Sequence, residues 1–74
     1  MDEITFELRG DFIPLDALLK ATALAPSGGA AKQMVADGRV RVDGQVESRK
    51  TAKLRAGQQV EVDGHRVRLT AAAS

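Results

Sequence analysis

Ser27-Gly28-Gly29-Ala30-Ala31-Lys32 is followed closely by Arg39-Val40-Arg41-Val42-Asp43-Gly44. The first stretch reads as a helix start, because a serine hydroxyl accepts a bond from an otherwise unpaired first-turn N–H. Ala31, Met34 and Val35 recur at helical spacing as a buried stripe, and Gly38 suits the left-handed residue that closes a helix. From Arg39 the period drops to two. Val40 and Val42 point one way and Arg39 and Arg41 the other, and Asp43-Gly44 signals a type I′ hairpin turn. A helix that runs straight into a hairpin predicts an α+β fold.

On the N-terminal side, Ile4-Thr5-Phe6-Glu7-Leu8-Arg9 alternates as a half-buried strand does, and Gly10-Asp11 ends it. Pro14 can open a first helix, since its missing N–H would be unpaired there. Leu15, Leu18, Leu19 and Ala23 form its apolar stripe, with Thr22 at the edge and Asp16 in the first turn, where the dipole favours a carboxylate. Pro26 disfavours helical geometry at Ala25, so the helix is expected to stop near Leu24. Two short helices joined by two or three residues make a helical hairpin, and alanines along them allow close approach. Phe6 and Phe12 both read as core residues.

On the C-terminal side, Val46 returns on the second hairpin strand. Ser48 to Val60 then contains no acid but holds Arg49, Lys50, Lys53 and Arg55. Ala56-Gly57 turns the chain, Val60 and Val62 form a third strand, Asp63-Gly64 repeats the turn, and Val67 with Leu69 forms a fourth. Thr70 to Ser74 has nothing to bury and reads as a disordered tail. The expected architecture is a helical hairpin packed on a small, mostly antiparallel sheet. It forms a single domain over residues 1–74 with a core over about 4–69.

Seventy-four residues leave no room for a second core or a deep substrate cleft. Cysteine is absent and His65 is the only histidine, so thiolate chemistry, disulfides and Cys- or His-based metal sites are excluded, and no cofactor is expected. No apolar run reaches a membrane span, and Met1-Asp2-Glu3 is the wrong start for a signal peptide. A soluble cytoplasmic monomer with no small-molecule substrate is expected. Net charge is only +1, yet residues 1–31 hold five acids against two cations, and residues 32–74 nine cations against five acids. A basic half suits a polyanion, the nearest being a nucleic-acid backbone.

Gly28 and Gly29 in a first helical turn each cost up to about 1 kcal/mol relative to Ala. Two explanations stand open. Bare N–H groups can approach a phosphate closely, or a neighbouring element packs too tightly for a Cβ. Lys32 lies one turn further along, within reach of the same anion. Arg39 and Arg41, roughly 6–7 Å apart on one strand face, can bridge neighbouring phosphates or simply solvate the sheet. Neither Trp nor Tyr is present, so with both Phe in the core there is no platform for stacking bases. The ligand expected is therefore folded RNA or duplex. Nothing places Ser27 or Ser48 beside His65 on a strained elbow, so catalysis is not expected.

The three blocks Ser27 to Lys32, Gly38 to Gly44 and Glu47 to Leu54 resemble, in order and spacing, the ribosomal-protein S-four RNA-binding domain, or alpha-L motif. The likeness covers about residues 12–69 and is greatest to the small stand-alone bacterial members. It implies non-catalytic binding of structured RNA, ribosomal or transfer RNA, in translation or ribosome biology. It further implies RNA-facing positions at Gly28, Gly29, Lys32, Arg39, Arg41, Arg49, Lys50 and Lys53. Gly28 and Pro14 stand where many members carry basic residues, implying weaker or differently oriented contacts. Ala30 replaces a common Glu, so a capping box is lost. Gln58 stands for a frequent Asp after Gly57, a local turn change. The rival reading is a small protein-interaction adaptor whose basic loop meets an acidic partner. A β-grasp carrier would end in Gly-Gly, whereas this chain ends Ala71-Ala72-Ala73-Ser74.

Overall fold

The computed structural model describes residues 2–72. Strand β1 (Asp2–Leu8) is followed by β2 (Ile13–Pro14), α1 (Leu15–Ala21), α2 (Gly28–Ala36), β3 (Val40–Val42), β4 (Gln45–Val46), β5 (Lys53–Leu54), β6 (Gln59–Val62) and β7 (His65–Ala71). The main sheet has the order β1-β7-β6-β3-β4. Its β1–β7 pair is parallel and the others antiparallel. The short β2 and β5 form a separate antiparallel pair.

Alternation decides which face is buried. Ile4 stands beside Val67, Phe6 beside Leu69, Val60 beside Val67, and Val40 beside Val62. One sheet face is thus apolar throughout, and the helical hairpin covers it with Leu15, Leu18, Leu19, Ala31, Met34 and Val35. Burying a Leu or Val side chain contributes about 1.5–3 kcal/mol, so this one cluster carries the stability of the fold. The opposite face alternates in charge, with Glu3 beside Arg66 and Glu61 between Arg66 and Arg41. Both hairpin turns take the expected form: Asp43 and Asp63 have φ of 51° and 48°, and Gly44 and Gly64 both 85°.

Several expectations need correction. Helix α1 ends at Ala21, short of Leu24, and Ala23 is exposed with φ 61° rather than part of the stripe. The cause is a Schellman-type ending. The Ala23 N–H donates to the Lys20 carbonyl (3.1 Å) and the Ala25 N–H to the Leu19 carbonyl (3.0 Å), while the Thr22 hydroxyl donates to the Leu18 carbonyl (2.9 Å). Buried Ala25 and partly buried Leu24 complete the apolar contact. The C-terminal segment is ordered further than expected, because β7 pairs through Ala71 with Leu8. Ala73 and Ser74 of the expected tail lie outside the described residues. Strand β3 begins at Val40, so Arg39 precedes it. Phe12 is not a core residue but 41% exposed. His65 is half-buried in β7.

Candidate nucleic-acid interface

At the start of α2, the Ser27 hydroxyl accepts from the Ala30 N–H at 3.1 Å, and the Ser27 carbonyl accepts from the Ala31 N–H at 3.0 Å. Among the described residues no hydrogen bond engages the N–H of Gly28 or Gly29, as expected for the first donors of a helix. A Cβ built on Gly28 would meet nothing within 4 Å, and one on Gly29 only the Ser27 hydroxyl at 3.9 Å. Close packing therefore does not explain these glycines, and their backbone faces open space. Lys32 is exposed, and no ion pair holds it among the described residues.

The basic loop is fastened to the other helix. Pro14 caps α1 without a side-chain acceptor, which leaves the first donors of that helix to be satisfied elsewhere. The Leu15 N–H donates to the Ala52 carbonyl at 2.9 Å and the Asp16 N–H to the Lys50 carbonyl at 3.1 Å. Pairing of Pro14 with Lys53 and of Ile13 with Leu54 extends the attachment, and Ala52 and Leu54 are buried beneath it. The intervening side chains are left outside. Arg49, Thr51, Ala52 and Lys53 border an open concavity of about 360 Å³. The positive end of the α1 dipole adds to the potential there.

Arg49 carries its own counter-ion. Its backbone N–H donates to Glu47 Oε1 at 2.9 Å, and its guanidinium spans both carboxylate oxygens at 3.2 and 3.3 Å. That contact holds the Glu47 carboxyl below its ordinary range and raises Arg49 further. Lys50 has no such partner among the described residues. The Lys53 ammonium sits 5.0 Å from the centre of the Phe12 ring.

Arg39 and Arg41 do share a depression, of about 180 Å³, but Glu61 and Asp63 line it as well. The Arg39 guanidinium grips the Asp63 carboxylate through both Nε and a terminal nitrogen. The bond lowers the Asp63 carboxyl and raises Arg39. No ion pair ties Arg41 among the described residues. Further along the same face, Arg66 lies 3.9 Å from both Glu3 and Glu61, and Arg68 3.6 Å from Glu3. Seven of the eight expected positions thus fall into the glycine start, the loop concavity and the sheet depression, and Lys50 joins the loop through its carbonyl. Neither Gly28, Gly29 nor Lys32 borders either hollow.

Phe12 escaped the sequence reading. With Ile13 directed inward against Leu54, the preceding residue of an extended segment faces outward. That alternation was the available signal. Gln58 proves to be an anchor: it accepts from the Arg55 N–H at 2.7 Å and donates to Asp43 at 3.2 Å, fixing the end of the loop to the hairpin turn.

The S4 domain family profile matches residues 6–70. YbcJ of Escherichia coli (strain K12) is 44% identical over 68 residues, spanning 90% of this chain and 97% of that protein, and YbcJ of Shigella flexneri matches to the same extent. The solution structure of YbcJ from E. coli, described as revealing an alfaL motif involved in RNA-binding, superposes with a TM-score of 0.72. It is 41% identical and covers 95% of this chain and 90% of that one. With the profile spanning nearly all of the described sheet and both helices, the chain belongs to the S4 domain family.

Proposed function

We propose that this chain is a non-catalytic binder of structured RNA, of the ribosomal or transfer RNA class, acting in the cytoplasm in translation or ribosome biology. The observation that carries the reading is the basic loop anchored to α1, which holds Arg49, Lys50 and Lys53 on a fixed backbone. Cations held in place lose little freedom on meeting phosphates, and among the described residues no acid pairs with Lys50 or Lys53. The unengaged N–H groups of Gly28 and Gly29, with Lys32 beside them, offer a second phosphate contact. Arg39 and Arg41 offer a third.

Titration of purified bacterial ribosomal RNA and transfer RNA with the protein at several salt concentrations tests this. About four to six phosphate contacts give a slope of log affinity against log salt of roughly −3 to −5. Reversal of Arg49, Lys50 and Lys53 to Glu is expected to abolish binding with the circular dichroism spectrum intact. Retained affinity in that variant refutes the reading, and loop-dependent binding to an acidic protein with no affinity for RNA would favour the adaptor.

A further inference from the structure

One aromatic ring is displayed where a globular domain normally hides it. Phe12 is 41% exposed, immediately before the β2–β5 pair that carries the basic loop. It borders a cavity of about 210 Å³ together with Phe6, Glu7, Leu8, Arg9, Gly10 and Ile13, whose walls are mainly apolar. A cavity of about 150 Å³ holds benzene, so this one has room for a flat heterocycle. Charge decides between possible occupants. Lys53 lies 5.0 Å from the ring centre and Arg9 is in the cavity wall, so two cations against the single carboxylate of Glu7 border the place where a ligand enters. Among the described residues the other exposed large apolar residue, Val46, is on β4, at the opposite edge of the sheet from β1. Phe12 is therefore not part of the extended apolar patch that a protein partner requires.

We infer that Phe12 stacks an unpaired nucleobase of the bound RNA, with Lys53 and Arg9 taking the phosphates that flank it. This rests on the RNA-binding reading above and narrows it to structured RNA carrying an extruded or bulged nucleotide. In the free protein the Lys53 ammonium rests on the ring. An exposed cation–π contact is weaker than base stacking, so the ammonium moves to a phosphate and yields the ring to the base. Every base presents a π face, so the site selects for an unpaired nucleotide rather than for its identity.

Two RNA hairpins of the same stem, one fully paired and one with a single bulged adenosine, test the inference by fluorescence anisotropy at fixed salt. The wild-type protein is expected to prefer the bulged hairpin by about tenfold. Phe12→Leu keeps an apolar side chain but no π face, and is expected to erase the preference. Phe12→Trp is expected to keep it, and because the sequence has no Trp or Tyr, the new indole emission reports directly. The bulged hairpin should quench that emission and the paired one should not. Equal binding of both hairpins by the wild type, or a preference that survives Phe12→Leu, overturns the stacking assignment and leaves the RNA reading standing. Failure to bind either hairpin, ribosomal RNA or transfer RNA overturns both.

Discussion

Replacing Gly29 by Ala separates two quantities that are usually entangled, stability and ligand contact. Gly29 is the second residue of α2, its φ is not positive, and a Cβ there meets only the Ser27 hydroxyl at 3.9 Å, an ordinary contact. In a helix interior the change is worth about 1 kcal/mol, and the unfolded chain loses freedom as well. In the first turn fewer helical bonds fix the residue, so about 0.5–1 kcal/mol of stabilisation is expected. For a chain of this size that raises Tm by about 2–8 °C. RNA affinity should move the opposite way. A methyl group holds a phosphate off the backbone, and losing one charge-assisted hydrogen bond costs about 1.5–3 kcal/mol, or roughly ten- to 150-fold in affinity. Thermal melts followed by circular dichroism and RNA titration of the same sample measure both. A lower Tm refutes the open site, and a higher Tm with unchanged affinity refutes the phosphate cradle.

Asp63→Asn keeps a residue suited to positive φ in its turn but releases Arg39. RNA affinity should rise several-fold in the wild-type background but not when Arg39 is also changed to Gln, and an equal gain in both removes Arg39 from the interface. Neutralising Arg39 and Arg41 to Gln should weaken binding more than neutralising Arg66 and Arg68, which do not border the depression that Arg39 and Arg41 share. Equal losses at matched salt would mean diffuse attraction. Ala23→Gly removes a left-handed alanine, so urea denaturation should show about 0.5–1 kcal/mol of added stability, and any loss counts against the Schellman ending. The depressed Glu47 and Asp63 carboxyls stabilise the fold above their ordinary values of 4.5 and 3.8, and that contribution disappears as pH falls through the lower folded values. The Arg39–Asp63 pair is exposed and Arg49 is exposed beside a half-buried Glu47, so the effect is small. A Glu47→Gln, Asp63→Asn variant should lose less stability on acidification than the wild type, and superimposable pH profiles would contradict this.

Local rules found the parts of the fold that local chemistry determines. Ser27 with its stripe of Ala31, Met34 and Val35, the two Asp-Gly turns, and the alternation from Val40 onward each depend on neighbours in sequence. What escaped depends on distant partners. The pairing of Ile13-Pro14 with Lys53-Leu54 joins two fragments of two residues each, too brief for a periodic signal. Ala71 is a poor strand former that is held because Leu8 lies beside it. Ala23 carries no mark of a left-handed residue, and the Schellman bonds impose that conformation. The candidate site divides in the same way. The cationic positions and the open glycines were legible, because charge and the absence of a side chain are properties of the residues themselves. The Asp63 partner of Arg39 lies 24 positions away, and only the folded hairpin brings it there.

The parallel β1–β7 pair also fixes when the domain can form. Asp2 aligns with His65, so β1 remains without its neighbour until almost all of the matched segment has left the ribosome. At about 5–20 residues per second, several seconds of synthesis separate the two strands. Throughout that interval Ile4, Phe6 and Leu8 lack their β7 neighbours Val67, Leu69 and Ala71, and the long loop closure slows the final pairing. The helical hairpin and the β3–β4 turn involve nearby residues and can assemble earlier. The fold is then completed in two stages, with the glycine-bearing helix start first and the sheet-locked form only after β7 emerges.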